Sequence, residues 1–144
     1  MKTSRELTPQ ERYDIVRYRM ENAQRTLNEI EDLVSLKYYN TAANRMYYAC
    51  YYAACALLIA NKINTKSHDG VKQMFSLHFI KTGFLPMRLS RIYSTLFKQR
   101  LSGDYDDMFD NTVESVTELH PQAQEFISAV KEKVDQWLAG NATE

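Results

Sequence analysis

Met46-Tyr47-Tyr48-Ala49-Cys50-Tyr51-Tyr52-Ala53-Ala54-Cys55-Ala56-Leu57-Leu58-Ile59-Ala60 is the stretch whose reading decides the fold. It carries no charge, is short for a bilayer span and holds four tyrosines, so it reads as a buried central helix. Apolar residues occupy nearly every face, which requires cover on several sides. Ala49, Ala53, Ala56 and Ala60 form a stripe of small side chains against which another helix can lie closely. Tyr47, Tyr48, Tyr51 and Tyr52 surround that stripe; such rings pack in a core while their hydroxyls find partners at its edge. With its flanks the helix is expected from about Asn40 to Asn61.

On the N-terminal side, Thr8-Pro9-Gln10-Glu11 is a helix start: a threonine cap, a proline at the first position and a glutamate three residues after the cap. Tyr13, Val16, Met20, Ala23, Leu27, Ile30 and Val34 then recur at alternating steps of three and four, predicting one helix to about Leu36. On the C-terminal side, Asn61 to Ser67 is a polar connection. Ser67 or Asp69 can cap a third helix holding Val71, Met74, Phe75, His78 and Phe79, which stops at Gly83. A fourth helix starts near Pro86, carries Leu89, Ile92, Tyr93, Leu96 and Phe97, and ends near Gly103. Asp104 to Asn111 reads as acidic and irregular. A last helix covers about Thr117 to Leu138, with Pro121 acceptable only in its first turn. Gly140 to Glu144 reads as a frayed tail. The fold class expected is all-α, an up-and-down four-helix bundle with an additional short helix. It forms a single domain over residues 1–144, its core at about 9–138. The first helix's seam and the tyrosines suit a homodimer.

The 144 residues suffice for one hydrophobic core. Lysine plus arginine equals aspartate plus glutamate at 18 each, so no global charge draws the chain to nucleic acid or membrane. Cys50 and Cys55 lie on different faces of one helix, outside disulfide geometry and without a metal-ligand partner. Free thiols and a polar Met1–Gln10 segment lead to the expectation of a soluble, cytoplasmic protein. No glycine-rich phosphate loop, HExxH or Gly-x-Ser-x-Gly motif is present, and three scattered histidines make no metal site. Neither cofactor nor metal is expected.

Charge is segregated locally. From Gly70 to Gly103 every charged residue is basic (Lys72, Lys81, Arg88, Arg91, Lys98, Arg100), and from Asp104 to Glu118 every one is acidic. The segments either neutralise one another or form a cationic surface for phosphates beside an acidic loop. Arg45 shares a helical face with Tyr48 and Tyr52, and Arg100 follows Tyr93, Leu96 and Phe97 on an apolar face. A guanidinium cannot shed its proton, so each must be paired or reach water. Asp104 and Tyr105 stand one turn beyond Arg100. The group is read either as an Arg100–Asp104 bridge closing the bundle or as a polar pocket of Arg45, Arg100, Asp104 and Tyr105. His68 is either a side chain of the cap region or a general acid or base. His78 is expected in the core and His120 at a helix start.

The blocks Asn44-Arg45-Met46-Tyr47-Tyr48-Ala49, Ala53-Ala54-Cys55-Ala56-Leu57-Leu58, His68-Asp69-Gly70, Phe75, His78-Phe79-Ile80-Lys81-Thr82-Gly83 and Arg100-Leu101-Ser102-Gly103-Asp104-Tyr105-Asp106 follow in this order. In order and spacing they resemble the HEPN-domain proteins, specifically their UPF0332-type branch, over about residues 38–138. The resemblance implies a helical bundle that commonly dimerises and a link to RNA or nucleotide chemistry. Many HEPN proteins are metal-independent ribonucleases, often toxins paired with a small nucleotidyltransferase antitoxin. Their signature is an arginine, four to six further residues and then a histidine. Arg100 takes the arginine's place, but Tyr105 stands where the histidine belongs, and no arginine here has a histidine at that spacing. Tyrosine, with a pKa of about 10, is a poor base at neutral pH.

The leading expectation is therefore an RNA- or nucleotide-binding module, the HEPN half of a toxin–antitoxin pair with a nucleotidyltransferase-like partner. Arg45, Tyr48, Asp104, Arg91 and Lys98 would bind the ligand, and Arg100, His68 and Tyr105 would carry any chemistry. The alternatives are a metal-independent ribonuclease leaving 2′,3′-cyclic phosphate ends and a purely structural helical adaptor. The resemblance also implies Tyr105 as a residue that a partner nucleotidyltransferase would modify.

Overall fold

A computed structural model of the chain describes residues 6–105 and 110–142, with the side chains of 103–105 outside the description. Among the described residues every regular element is helical: α1 (Pro9–Asn28), α2 (Ile30–Ser35), α3 (Tyr39–Ala60), α4 (His68–Phe75), a π-helical turn (Ser76–Ile80), α5 (Met87–Tyr105) and α6 (Val113–Asn141). The four long helices make the expected bundle. α3 is its axis, packed on α1, α5 and α6, while α4 rests on α3 and the π-turn reaches α5. Ala49, Ala53, Ala56 and Met46 are fully buried, so the uncharged run holds the centre. Val16, Met20, Ala23, Leu27 and Ile30 are buried along the α1 seam, and Thr8 caps α1 in a reciprocal box with Glu11. No described helix is long and apolar enough to cross a membrane.

Several boundaries differ from the sequence reading. The first helix does not run unbroken to Leu36: at Glu29 the N–H bonds Thr26 at 3.2 Å, a tighter turn, and α2 restarts at Ile30. Neither glycine nor proline marks this break. Lys37 and Lys62 end α2 and α3 in the left-handed region (φ 65° and 62°). The Tyr38→Leu33 and Ile63→Leu58 backbone bonds then close each end at 2.9 Å.

α6 begins at Val113 rather than near Thr117, because Thr112 and Ser115 cap each other's backbone N–H at 3.1 and 3.0 Å. Pro121 consequently lies inside the helix, not in its first turn. It is tolerated because Pro121 and Thr117, whose carbonyl loses its partner, both face solvent. His120 is correspondingly a half-buried residue of the α6 interior. The tail also starts later than Gly140, α6 continuing to Asn141.

His78 is exposed rather than packed in the core. The reason is the π-turn: the Lys81 N–H bonds the Ser76 carbonyl at 2.9 Å, five residues back. The extra residue in that turn swings His78 outward while Phe79 and Ile80 stay buried. Gly83, at φ 78°, provides the expected stop. The α5 backbone extends through Asp104 and Tyr105 rather than ending near Gly103, and residues 106–109 of the expected irregular segment lie outside the described residues. Buried Asn111 ties the bundle's end together. It donates to Asn40 through its N–H and side-chain amide at 2.7 and 3.0 Å and accepts from Gln99 at 2.7 Å.

Candidate functional site

Three elements converge on one aromatic and cationic cluster. α3 supplies Tyr47, Tyr48 and Tyr51 from consecutive turns of its uncharged run. α4 supplies His68 from its first position. Ser67 fixes that position by accepting the Gly70 N–H at 2.9 Å. A Cβ at Gly70 would stand 3.1 Å from the Ser67 Oγ, a tight contact that would press on the capping hydroxyl. α5 supplies Arg100, two turns beyond buried Tyr93 on the same inward face.

The Arg100 guanidinium lies over two rings, 5.4 Å from the Tyr47 centroid and 5.5 Å from that of Tyr48. Its Nη2 also donates to the Tyr48 hydroxyl at 3.3 Å. Arg45 approaches the same Tyr48 ring at 5.9 Å and donates to Thr26 Oγ1 at 3.4 Å. Tyr48 therefore sits between two cations. His68 stacks on Tyr51 with centroids 4.4 Å apart and meets the Tyr48 ring edge-on at 5.6 Å. Its Nδ1 is 2.8 Å from the Tyr47 hydroxyl.

Protonation follows from this packing. Burial pushes the Tyr47 and Tyr51 hydroxyls up to about 12, so both remain protonated. For His68, burial first and the Arg100 cation second hold the imidazole below its usual pKa, against the pull of Asp69. The ring is neutral at pH 7. Because the unfolded chain protonates more readily, stability is expected to be intact above about pH 6.5 and to fall as pH drops through the depressed value. Urea midpoints of the wild type and His68→Gln across mildly acidic pH check this. The wild type should lose more stability on acidification than the variant, and equal losses would exclude His68 as the source.

The sequence-derived residues divide in space. Arg45, Tyr48, His68 and Arg100 come together. Arg91 and Lys98 stand exposed on the side of α5 turned away from Arg100, because nine and two residues of helical rotation carry them to the far face. The side chains of Asp104 and Tyr105 lie outside the described residues, and with them the Arg100–Asp104 bridge. Of the basic stretch, Arg88 pairs with Glu125 of α6 at 2.6 Å, a partner beyond the acidic 104–118 segment. Tyr47 and Tyr51 escaped the sequence reading as site residues because both looked like core. The available signal was their four-residue spacing on a helix apolar all round, where each hydroxyl needs a partner. Among the described residues no group of three or more His, Cys, Asp or Glu could hold a metal. Cys50 and Cys55 are buried and free, with burial pushing both thiols up.

Comparison with known proteins agrees with this architecture. The model of the HEPN domain matches residues 16–133. A UPF0332 protein of Thermotoga maritima is 30% identical over 125 residues, covering 87% of this chain and 95% of its own. A Methanocaldococcus jannaschii protein named "Putative toxin MJ0142" is 32% identical over 78% of this chain and 76% of its own. A second from that organism, named in the same way as MJ0605, is 31% identical over 83% and 88%. The crystal structure of ST0689, an archaeal HEPN homologue, superposes with a TM-score of 0.66 at 21% identity, covering 83% of this chain and 97% of that one.

Proposed function

The chain belongs to the HEPN domain family, and from that premise we propose that it is an RNA- or nucleotide-binding module. In this reading it is the HEPN half of a toxin–antitoxin pair, a cytoplasmic homodimer working with a nucleotidyltransferase-like partner. The relatives named as toxins support the pairing. The observation that carries the binding reading is the Arg100 guanidinium held over Tyr47 and Tyr48 beside a neutral His68. The guanidinium is a fork for phosphate oxygens, and the half-buried Tyr48 and Tyr51 beside it offer ring surface on which a base can stack, with fully buried Tyr47 as their support.

The contact between Tyr47 and His68 separates binding from cleavage. If the Tyr47 hydroxyl donates to Nδ1, His68 carries its proton on Nε2 and donates it to a phosphate oxygen, which binds but takes no proton. If Nδ1 carries the proton and donates it to the Tyr47 oxygen, Nε2 is free to act as a base. Cleavage would then pass the 2′-hydroxyl proton to Nε2 as that oxygen attacks phosphorus. Arg100 would stabilise the charged phosphorus centre, and the departing 5′-oxygen would be protonated by water, leaving a 2′,3′-cyclic phosphate. The lowered His68 pKa keeps the imidazole neutral, which both readings require, so the tautomer alone separates them.

One experiment addresses both. Purified protein is titrated against labelled single-stranded RNA in EDTA, with anisotropy followed for binding and end-group analysis for cleavage. Binding of the intact strand that weakens with salt is expected. Cyclic phosphate ends that disappear in His68→Gln would establish the ribonuclease reading instead. An absence of both binding and cleavage across varied RNAs and nucleotides would overturn the proposal.

A further inference from the structure

We infer that the groove between α4, the π-turn and α5 is a track for single-stranded RNA leading away from the Arg100–His68 cluster, with Lys72 and Lys81 meeting its phosphates. This inference rests on the reading of that cluster as an RNA site.

The groove encloses about 510 Å³, and its walls include Asp69, Lys72, Ser76, Lys81, Ser90 and Ser94. Two of its lining residues adjoin the cluster: Asp69 follows His68 in α4, and the Tyr93 ring packs on Tyr47 at 5.7 Å. Lys72, one turn further along α4, holds its ammonium 5.5 Å from the Phe97 centroid, one turn of α5 before Arg100. Ser90, near the far end, lies ten residues before Arg100, or about 15 Å along the helix. That length exceeds what a single nucleotide needs.

The chemistry of the walls suits a polyanion. Among the described lining residues Asp69 is the only acid, set against two lysines and three serines whose hydroxyls can donate to phosphate oxygens. From Gly70 to Gly103 the chain carries basic side chains and no acidic one. The π-turn also contributes. In an α-helix Ser76 and Lys81 would lie about 140° apart around the axis. The bond from the Lys81 N–H to the Ser76 carbonyl at 2.9 Å brings the two into line, and both face the groove. Turns of this kind often sit at functional sites, and here the turn places a cation in the groove.

The test compares a labelled dinucleotide with a longer single-stranded oligonucleotide at several salt concentrations. The proteins are the wild type, Lys72→Gln/Lys81→Gln, Ser94→Glu and Arg100→Ala, each checked for fold by circular dichroism and for size by sedimentation. For the longer strand, the double variant is expected to reduce the slope of log affinity against log salt by about 1.4, or ~0.7 per lost phosphate contact. Ser94→Glu should weaken the longer strand by charge repulsion. Neither change should alter dinucleotide binding, whereas Arg100→Ala should weaken both ligands. The track is overturned if the groove variants bind the longer strand as the wild type does while Arg100→Ala still loses it, a result that leaves the cluster reading intact. It is also overturned if the groove variants chiefly dissociate a dimer, which would make the groove an interface between copies. Failure of the wild type to bind either ligand would instead overturn the cluster reading from which the track extends.

Discussion

Arg100→Ala is expected to weaken binding of single-stranded RNA by roughly tenfold to a hundredfold while lowering the thermal midpoint by only a few degrees. A hydrogen bond to a charged group contributes about 1.5–3 kcal/mol, and each ~1.4 kcal/mol is tenfold in affinity. The structural loss is smaller. Arg100 gives up its place over Tyr47 and Tyr48, an interaction of about 0.5–2 kcal/mol. The tyrosines remain packed on one another and on Tyr93. Arg100→Lys should fall between wild type and alanine, because it keeps the charge and loses the planar fork. If the chain cleaves RNA, the alanine variant should lose about 10²–10³ in kcat instead. Anisotropy titration and differential scanning fluorimetry separate the two effects. An affinity unchanged beside a large drop in midpoint would make Arg100 a structural residue and support the adaptor reading.

Phe126→Ala should be the most damaging single truncation, at about 3–5 kcal/mol. Phe126 is fully buried in α6, its ring 5.3 Å from that of Phe75 and 5.6 Å from that of Tyr93. It therefore joins α6 to α4 and α5 at one point. The two rings that border the cavity, Phe75 and Tyr93, also stack on each other at 6.3 Å, which limits how far either can move to fill it. For a chain of this size the midpoint should drop on the order of 10 °C. Urea unfolding should show a lower midpoint with an unchanged slope. The site should weaken too: Tyr93 stands behind Tyr47 with centroids 5.7 Å apart, so loosening Phe126 loosens the ring on which Arg100 rests. An exposed residue on the same helix, such as Gln124, should change stability by no more than about 0.5 kcal/mol on substitution by alanine. A Phe126→Ala protein as stable as the wild type would mean that the helices are not packed through this ring.

What could be read from the chain depended on distance along it. The start of α1 was legible because Thr8, Pro9 and Glu11 act within a single turn. The α1 seam was legible because a helix repeats its faces every few residues. The π-turn was not, because Ser76-Leu77-His78-Phe79-Ile80 contains nothing that distinguishes it from an α-helix. His78 was therefore placed on the wrong side. The start of α6 was missed because Thr112 and Ser115 cap each other, a pairing weaker as a sequence signal than threonine with glutamate. The second arginine of the cluster, Arg45, was legible as an oddity on an apolar face.

The amino-acid order alone determined the helical class, the central position of the uncharged run and the need of Arg45 and Arg100 for polar company. Periodicity and charge are properties of single helices, so they survive without coordinates. Only the packing of α4 and α5 onto α3 decided who that company is. Tyr47, His68 and Arg100 come from three different helices, and no local rule says which turns will meet. The angle and register at which the helices cross decide it, and these are set by how the buried side chains interlock. That packing placed a neutral imidazole and a guanidinium over the same tyrosines and left Arg91 and Lys98 on the opposite side of the same helix.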